Sequence, residues 1–191
     1  MSLALRSLPW EVFAPLRSRF ARTSSGFSLL ETLVGMVMLL IIGGIVTPGF
    51  LSLQDQRRVN QAQSLVYQGL RSTQREAMEK RQQHQFSLRL RQGQLEWAYH
   101  PASVDPGQVK LWQPLTAGVS LASEDNTLTQ SKGVYYVRFD FRGDVKSSLG
   151  TITLVGSGGR LSHRCVIVST LIGALRQGEG HSKANGSRYC Y

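Results

Sequence analysis

Metal-ligand and catalytic patterns are what this chain lacks. It holds two cysteines, Cys165 and Cys190, and no C-x-x-C pair. His84, His100, His163 and His181 are scattered without ligand spacing, which argues against a metal site. Gly156-Ser157-Gly158-Gly159 has the wrong spacing for a phosphate-binding loop, so nucleotide binding is not expected and neither is any other cofactor. Ser162 and Ser169 near His163 read as ordinary turn and strand residues. Glu124-Asp125 reads as part of a solvated loop. No nucleophile–base constellation emerges, and catalysis is not expected. Internal repeats are absent. Acids are few: 12 Asp and Glu face 22 Lys and Arg, for a net charge of +10. Such an excess favours polyanions such as DNA or anionic surfaces, and serves plain solubility equally well.

A second absence is of charge within one stretch. From Phe27 to Val46 the sequence reads FSLLETLVGMVMLLIIGGIV, with Glu31 as its one ionisable residue. As a helix this run spans about 30 Å, the thickness of a bilayer's hydrocarbon core. Before it stand Arg6, Arg17, Arg19 and Arg22 against the single acid Glu11. Arginines ahead of an apolar segment hold that side in the cytoplasm, so the N-terminus is expected inside and the C-terminal part outside. No small-x-small cleavage site follows Val46; Pro48-Gly49-Phe50 stands there instead. Any cut therefore falls before the run. Within hydrocarbon an unpaired carboxylate is costly, so Glu31 needs a partner.

Gly26-Phe27-Ser28-Leu29-Leu30-Glu31-Thr32-Leu33, behind that basic leader, resembles the class III signal of type IV pilins and pseudopilins. The resemblance implies cleavage by a prepilin peptidase between Gly26 and Phe27 and N-methylation of Phe27. It makes Glu31 the fifth mature residue and places Pro48 where many pilins kink. Its implied partners are other pilins or pseudopilins in a filament. The freed α-amino group on Phe27 is cationic near neutral pH. Paired across subunits with Glu31, it relieves the desolvation of both charges and fixes axial register. The bland alternative is a signal anchor with a stray glutamate.

Past Pro48 the pattern becomes amphipathic. Val59, Ala62, Leu65, Val66, Leu70, Thr73 and Ala77 recur at three- and four-residue steps. One helix is expected from Phe27 to about Gln83, bent near Gly43-Gly44 or Pro48. Glu76 and Lys80 are spaced for a weak surface ion pair. From Phe86 the period drops to two. A hairpin is expected with Gln85–Leu90 and Gln94–Tyr99 around Arg91-Gln92-Gly93. Short strands follow at Lys110–Trp112 and Gly118–Ala122, then a polar connection over Ser123–Gly133. The best strand signals are Val134–Asp140, Gly150–Val155 and Arg164–Ser169, with a last candidate at Leu171–Arg176. The fold class is α+β: a long N-terminal helix packed on an antiparallel β-sheet head. The divisions are a leader (1–26), a membrane and filament-core segment (27–48), an amphipathic half (49–84) and a periplasmic β-rich head (85–191).

Phe139-Asp140-Phe141-Arg142-Gly143, then Gly150-Thr151-Ile152-Thr153-Leu154, resembles the core signature of the GspH/FimT group of minor pseudopilins. In that group F-x-x-x-G ends one strand and G-x-I-x-L begins the next. Arg164–Ser169 with Gly173–Arg176 resembles its closing strands. Some members bind DNA through a C-terminal G-R-x-R motif. Gly173 and Arg176 match its ends, but Ala174 stands in place of the first arginine. Lys183 and Arg188 lie nearby, and Gly178–Gly186 reads as a flexible tail suited to nonspecific phosphate contact. Export to an oxidising compartment allows a Cys165–Cys190 disulfide; two free thiols fit the sequence as well. The resemblance implies a minor pilin or pseudopilin that is single-pass in the inner membrane before it joins a filament. That filament is a type IV pilus, a type II secretion pseudopilus or a DNA-uptake pilus.

Overall fold

In the computed structural model residues 26–122, 125–156, 162–186 and 188–191 are described, with only the backbone for 45–48. The expected leader, and the turn after Gly156, lie outside the described residues. The chain divides into a unit ending at Gly43 and a unit running from Gly44 to Tyr191.

One helix, α1 (Leu29–Glu79), crosses that division and continues through Gly43, Gly44 and Pro48. Its most apolar 18-residue window has a mean hydropathy of 2.4, and its described side chains are exposed. The helix is long and apolar enough to cross a membrane. In the second half Val59, Ala62, Val66, Leu70, Thr73 and Ala77 are all fully buried, as their spacing predicts. Lys80 and Glu76 form the expected i,i+4 pair, at 2.7 Å. The helix stops four residues short of Gln83. Arg81 turns left-handed at φ +51°, and the Gln82 amide donates to the Ala77 carbonyl at 3.2 Å. That six-to-one bond closes the last turn, so the helix cannot extend.

Among the described residues the head holds ten strands in two antiparallel sheets. Sheet one has the order β3-β2-β1-β6-β5: β1 (His84–Arg91), β2 (Gln94–Pro101), β3 (Gln113–Pro114), β5 (Thr129–Ser131) and β6 (Val134–Phe139). Sheet two has the order β10-β9-β8-β7-β4: β4 (Ser120–Leu121), β7 (Gly150–Val155), β8 (Arg164–Val168), β9 (Leu175–Asn185) and β10 (Arg188–Cys190). Two-residue turns at Gln92-Gly93 and Lys132-Gly133, with positive φ throughout, join β1 to β2 and β5 to β6. Phe86, Leu88, Leu95, Val137 and Phe139 of sheet one share a single core with Ile152, Leu154, Val166, Val168 and Leu175 of sheet two and with the α1 stripe.

Several expectations shift. Lys110–Trp112 is not a strand; pairing falls on Gln113–Pro114, held by Gln94 donating to the Leu115 carbonyl at 2.6 Å. The polar connection before Gly133 contains β5. Asp125, expected to be solvated, is buried, and its backbone carbonyl accepts from the Thr153 hydroxyl at 3.2 Å. Leu171 and Ile172 lie exposed in a turn, and the last long strand starts at Leu175.

Candidate assembly segment and C-terminal hairpin

Gly26, Phe27 and Glu31 lie at the start of the described part of the N-terminal unit. Gly26–Ser28 precede the helix, and Glu31 sits in the first turn of α1. The Thr32 amide donates to the Ser28 carbonyl at 3.1 Å, and its hydroxyl to the Leu29 carbonyl at 2.9 Å. A carboxylate in a first helical turn faces the positive end of the backbone dipole. Phe27, Leu29, Leu30 and Leu33 are all exposed. An exposed apolar face of this extent is a surface that something else must cover.

At the other end of the chain Cys165 of β8 and Cys190 of β10 are joined by a disulfide, with Cα atoms 6.1 Å apart. Both are buried. Glu179 and Tyr191 exchange two backbone hydrogen bonds at 3.2 Å, and the Tyr191 ring stacks on His181 at 3.9 Å. The stretch expected to be flexible is therefore strand: β9 runs to Asn185 and β10 returns along it. The glycines misled the reading. A Cβ at Gly178 would stand 2.9 Å from both the Cys165 sulfur and the Tyr191 carbonyl, so glycine marks close approach here.

The four C-terminal positions singled out for anion contact are not brought into one cluster. Arg176 is exposed near the start of β9, opposite Ile167. Lys183 and Arg188 are exposed near the far end of the hairpin, where Arg188 is in register with Asn185. Seven steps along the strand place Arg176 and Lys183 about 23 Å apart. Gly173 is buried in the β8–β9 turn at φ +77°, where its carbonyl accepts from the Gln74 side chain at 3.2 Å.

That last contact belongs to a pair of clamps the sequence reading missed. The Gln74 amide also donates to the Gly143 carbonyl at 2.9 Å, so one side chain ties two turns of the head to α1. Three helical turns earlier, Gln63 donates to the Cys165 and Gly178 carbonyls at 2.8 and 2.9 Å. The available signal was positional: both glutamines are buried beside the apolar stripe rather than across from it. The Gly143 turn is itself built on Asp140. Its carboxylate accepts from the Arg142 and Asp144 amides at 2.8 and 3.0 Å and from the Lys146 ammonium at 3.3 Å. Burial pushes the Asp140 pKa up, but these hydrogen bonds outweigh it and hold the pKa below the usual carboxylate value. Here β6 ends at Phe139 and β7 begins at Gly150, as the two-part signature implies.

No curated protein matches the chain. Among solved structures, the type IV minor pilin FimU of Pseudomonas aeruginosa is 13% identical, with 62% of this chain and 90% of that one covered and a TM-score of 0.44. The minor pseudopilin EpsH from the type 2 secretion system of Vibrio cholerae is 17% identical, with 61% and 91% covered and a TM-score of 0.40. The family described as type II transport protein GspH matches residues 62–171, more than half of the sequence. Since that match begins well past Glu31, it rests on the amphipathic half of α1 and the head alone, and it makes the chain a member of the GspH family, a type IV pilin-like minor pseudopilin.

Proposed function

We propose that this subunit is cut between Gly26 and Phe27 by a prepilin peptidase and N-methylated on Phe27. It then enters a type IV pilus-type filament as a minor component that aids assembly or acts at the tip. Before assembly it is anchored in the inner membrane, N-terminus inside and head in the periplasm. The observation carrying this reading is the bare apolar half of α1 with Glu31 in its first turn. Neighbouring subunits cover the apolar face, and the Phe27 amine of one neighbour neutralises Glu31. Intact-mass analysis of protein from the native cell is expected to show loss of Met1–Gly26 and gain of one methyl. A full-length species alone would refute the processing step. Glu31→Val is expected to insert normally in the membrane yet fail to enter filaments, at least tenfold down in sheared-filament fractions (about 1.4 kcal/mol or more of lost pairing). Parental incorporation would break the pairing argument.

Two neighbouring readings have support of their own. A type II secretion pseudopilus is supported by the family's description; recovery of cross-linked secretion-machine components, rather than pilus components, tests it. Contact of the head with DNA is supported by exposed Arg176, Lys183 and Arg188, none of which has an acid within ion-pair distance among the described residues. Its test is a duplex shift at low salt that Arg176→Ala with Arg188→Ala removes.

A further inference from the structure

Sheet one has a second face, turned away from the core, and it carries a line of buried polar side chains. Phe86 and Leu88 point into the core, so Gln85, Ser87 and Arg89 alternate outward. Gln85 and Ser87 are nonetheless almost wholly buried, as is His100 on the neighbouring strand. They form one directed chain. The Arg138 Nε donates to Gln85 Oε1 at 2.7 Å, and Gln85 Nε2 donates to the Ser87 hydroxyl at 2.8 Å. His100 Nδ1 lies 2.9 Å from the Pro101 carbonyl, which can only accept, so Nδ1 carries the proton. Nε2 of the neutral ring then accepts from Ser87 at 3.0 Å. Burial keeps the His100 pKa below its ordinary value, which suits that direction.

The chain ends on Arg138. Its Nε is tied to Gln85, and its guanidinium lies over the Tyr136 ring, 4.8 Å from the centroid. Both constraints fix the plane of the fork. The remaining nitrogens, Nη1 and Nη2, make no hydrogen bond or ion pair among the described residues. Arg138 lines a cavity of about 590 Å³, bounded on its other side by the Ala102–Gly107 loop. Two other cations line the same cavity, and each has its own acid: Arg89 pairs with Glu96 at 2.7 Å, and Lys132 with Asp105 at 3.4 Å. Arg138 alone among them is held in place and left without an anion. A planar fork with two free parallel donors matches the two oxygens of a carboxylate, and the volume suits a small ligand or a short side-chain insertion.

We propose that this cavity binds a carboxylate, held bidentate by Nη1 and Nη2 of Arg138. The carboxylate belongs either to a free small acid or to an acidic side chain of a docked protein segment. The Gln85–Ser87–His100 chain is the positioning device that keeps the fork aimed. The site shares no residue with the assembly segment and does not depend on filament function.

The test is calorimetric titration of the full mature chain in detergent micelles. The probes are the peptide acetyl-Ala-Glu-Ala-amide, its glutamine counterpart, and acetate. The glutamate peptide or acetate is expected to bind saturably, with the glutamine peptide at least about tenfold weaker. Arg138→Gln is expected to lose binding by a similar factor. Arg138→Lys, which keeps the charge and loses the fork, is also expected to weaken it, and serves if the first variant melts at the working temperature. Acetate binding as tightly as the peptide identifies a free acid as the ligand; binding of the peptide alone identifies a protein segment. Affinities of both folded variants within about twofold of the parent, or no saturable binding of either probe at millimolar concentration, would overturn the proposal.

Discussion

Replacing Gln74 with leucine is expected to destabilise the head by about 3 kcal/mol, since two buried carbonyls lose their donor together. Gly143 and Gly173 sit in separate turns, 69 and 99 residues along the chain from Gln74, and a single amide nitrogen serves both. Its oxygen accepts from Arg71 at 3.2 Å, which fixes the amide's orientation. Leucine is close in size, so little of the loss comes from a cavity, and the cost is that of stranded polar groups. Gln68, on the solvent side of the same helix, is the control; Gln68→Leu is expected to change stability by less than about 0.5 kcal/mol. Denaturant midpoints of the full chain, read at equal m, measure both. Equal midpoints for the two variants would show that the turns find other donors and that the clamp is incidental.

The same residue shows where reading the sequence succeeds and where it stops. The buried stripe from Val59 to Ala77 was legible because a helix repeats its environment every three or four residues, and the apolar positions declare it. β6 and β7 were legible because aromatic and β-branched residues fill a pleated, half-buried surface. Gln74 follows no such rule: its role exists only once two distant turns arrive beside it. β5 is Thr-Gln-Ser, and β3 ends in Pro114; both are short edge strands whose partners, not their composition, make them strands. Gly178 looks like a linker residue in one dimension and is a close-approach position in three. The outward line of Gln85, Ser87 and His100 was hidden for a related reason. Alternation predicts a solvated face, but Gln85, Ser87 and His100 are buried on it and hydrogen-bonded to one another.

Removing the disulfide with Cys165→Ser and Cys190→Ser is expected to cost about 3.5 kcal/mol, the chain-entropy value for closing a loop of this length. The two cysteines are separated by 25 positions. The loss should start at the chain end. β10 has three residues, meets β9 at Arg188–Asn185 and Cys190–Gly180 with a register shift between them, and forms the edge of its sheet. Without the covalent tie that short, irregular pairing has little apolar burial to hold it, since Arg188 is exposed and Tyr189 only partly covered. Proteolysis is therefore expected to clip the variant after Arg188 or Lys183 while the core up to Leu175 resists. Reductant should shift the denaturant midpoint of the parent and leave that of the double variant unmoved. A parent indifferent to reductant would mean that non-covalent contacts, among them the backbone pairing and the Tyr191–His181 stack, suffice to seat the hairpin. In that case the buried Cys165 and Cys190 would contribute by packing rather than by their bond.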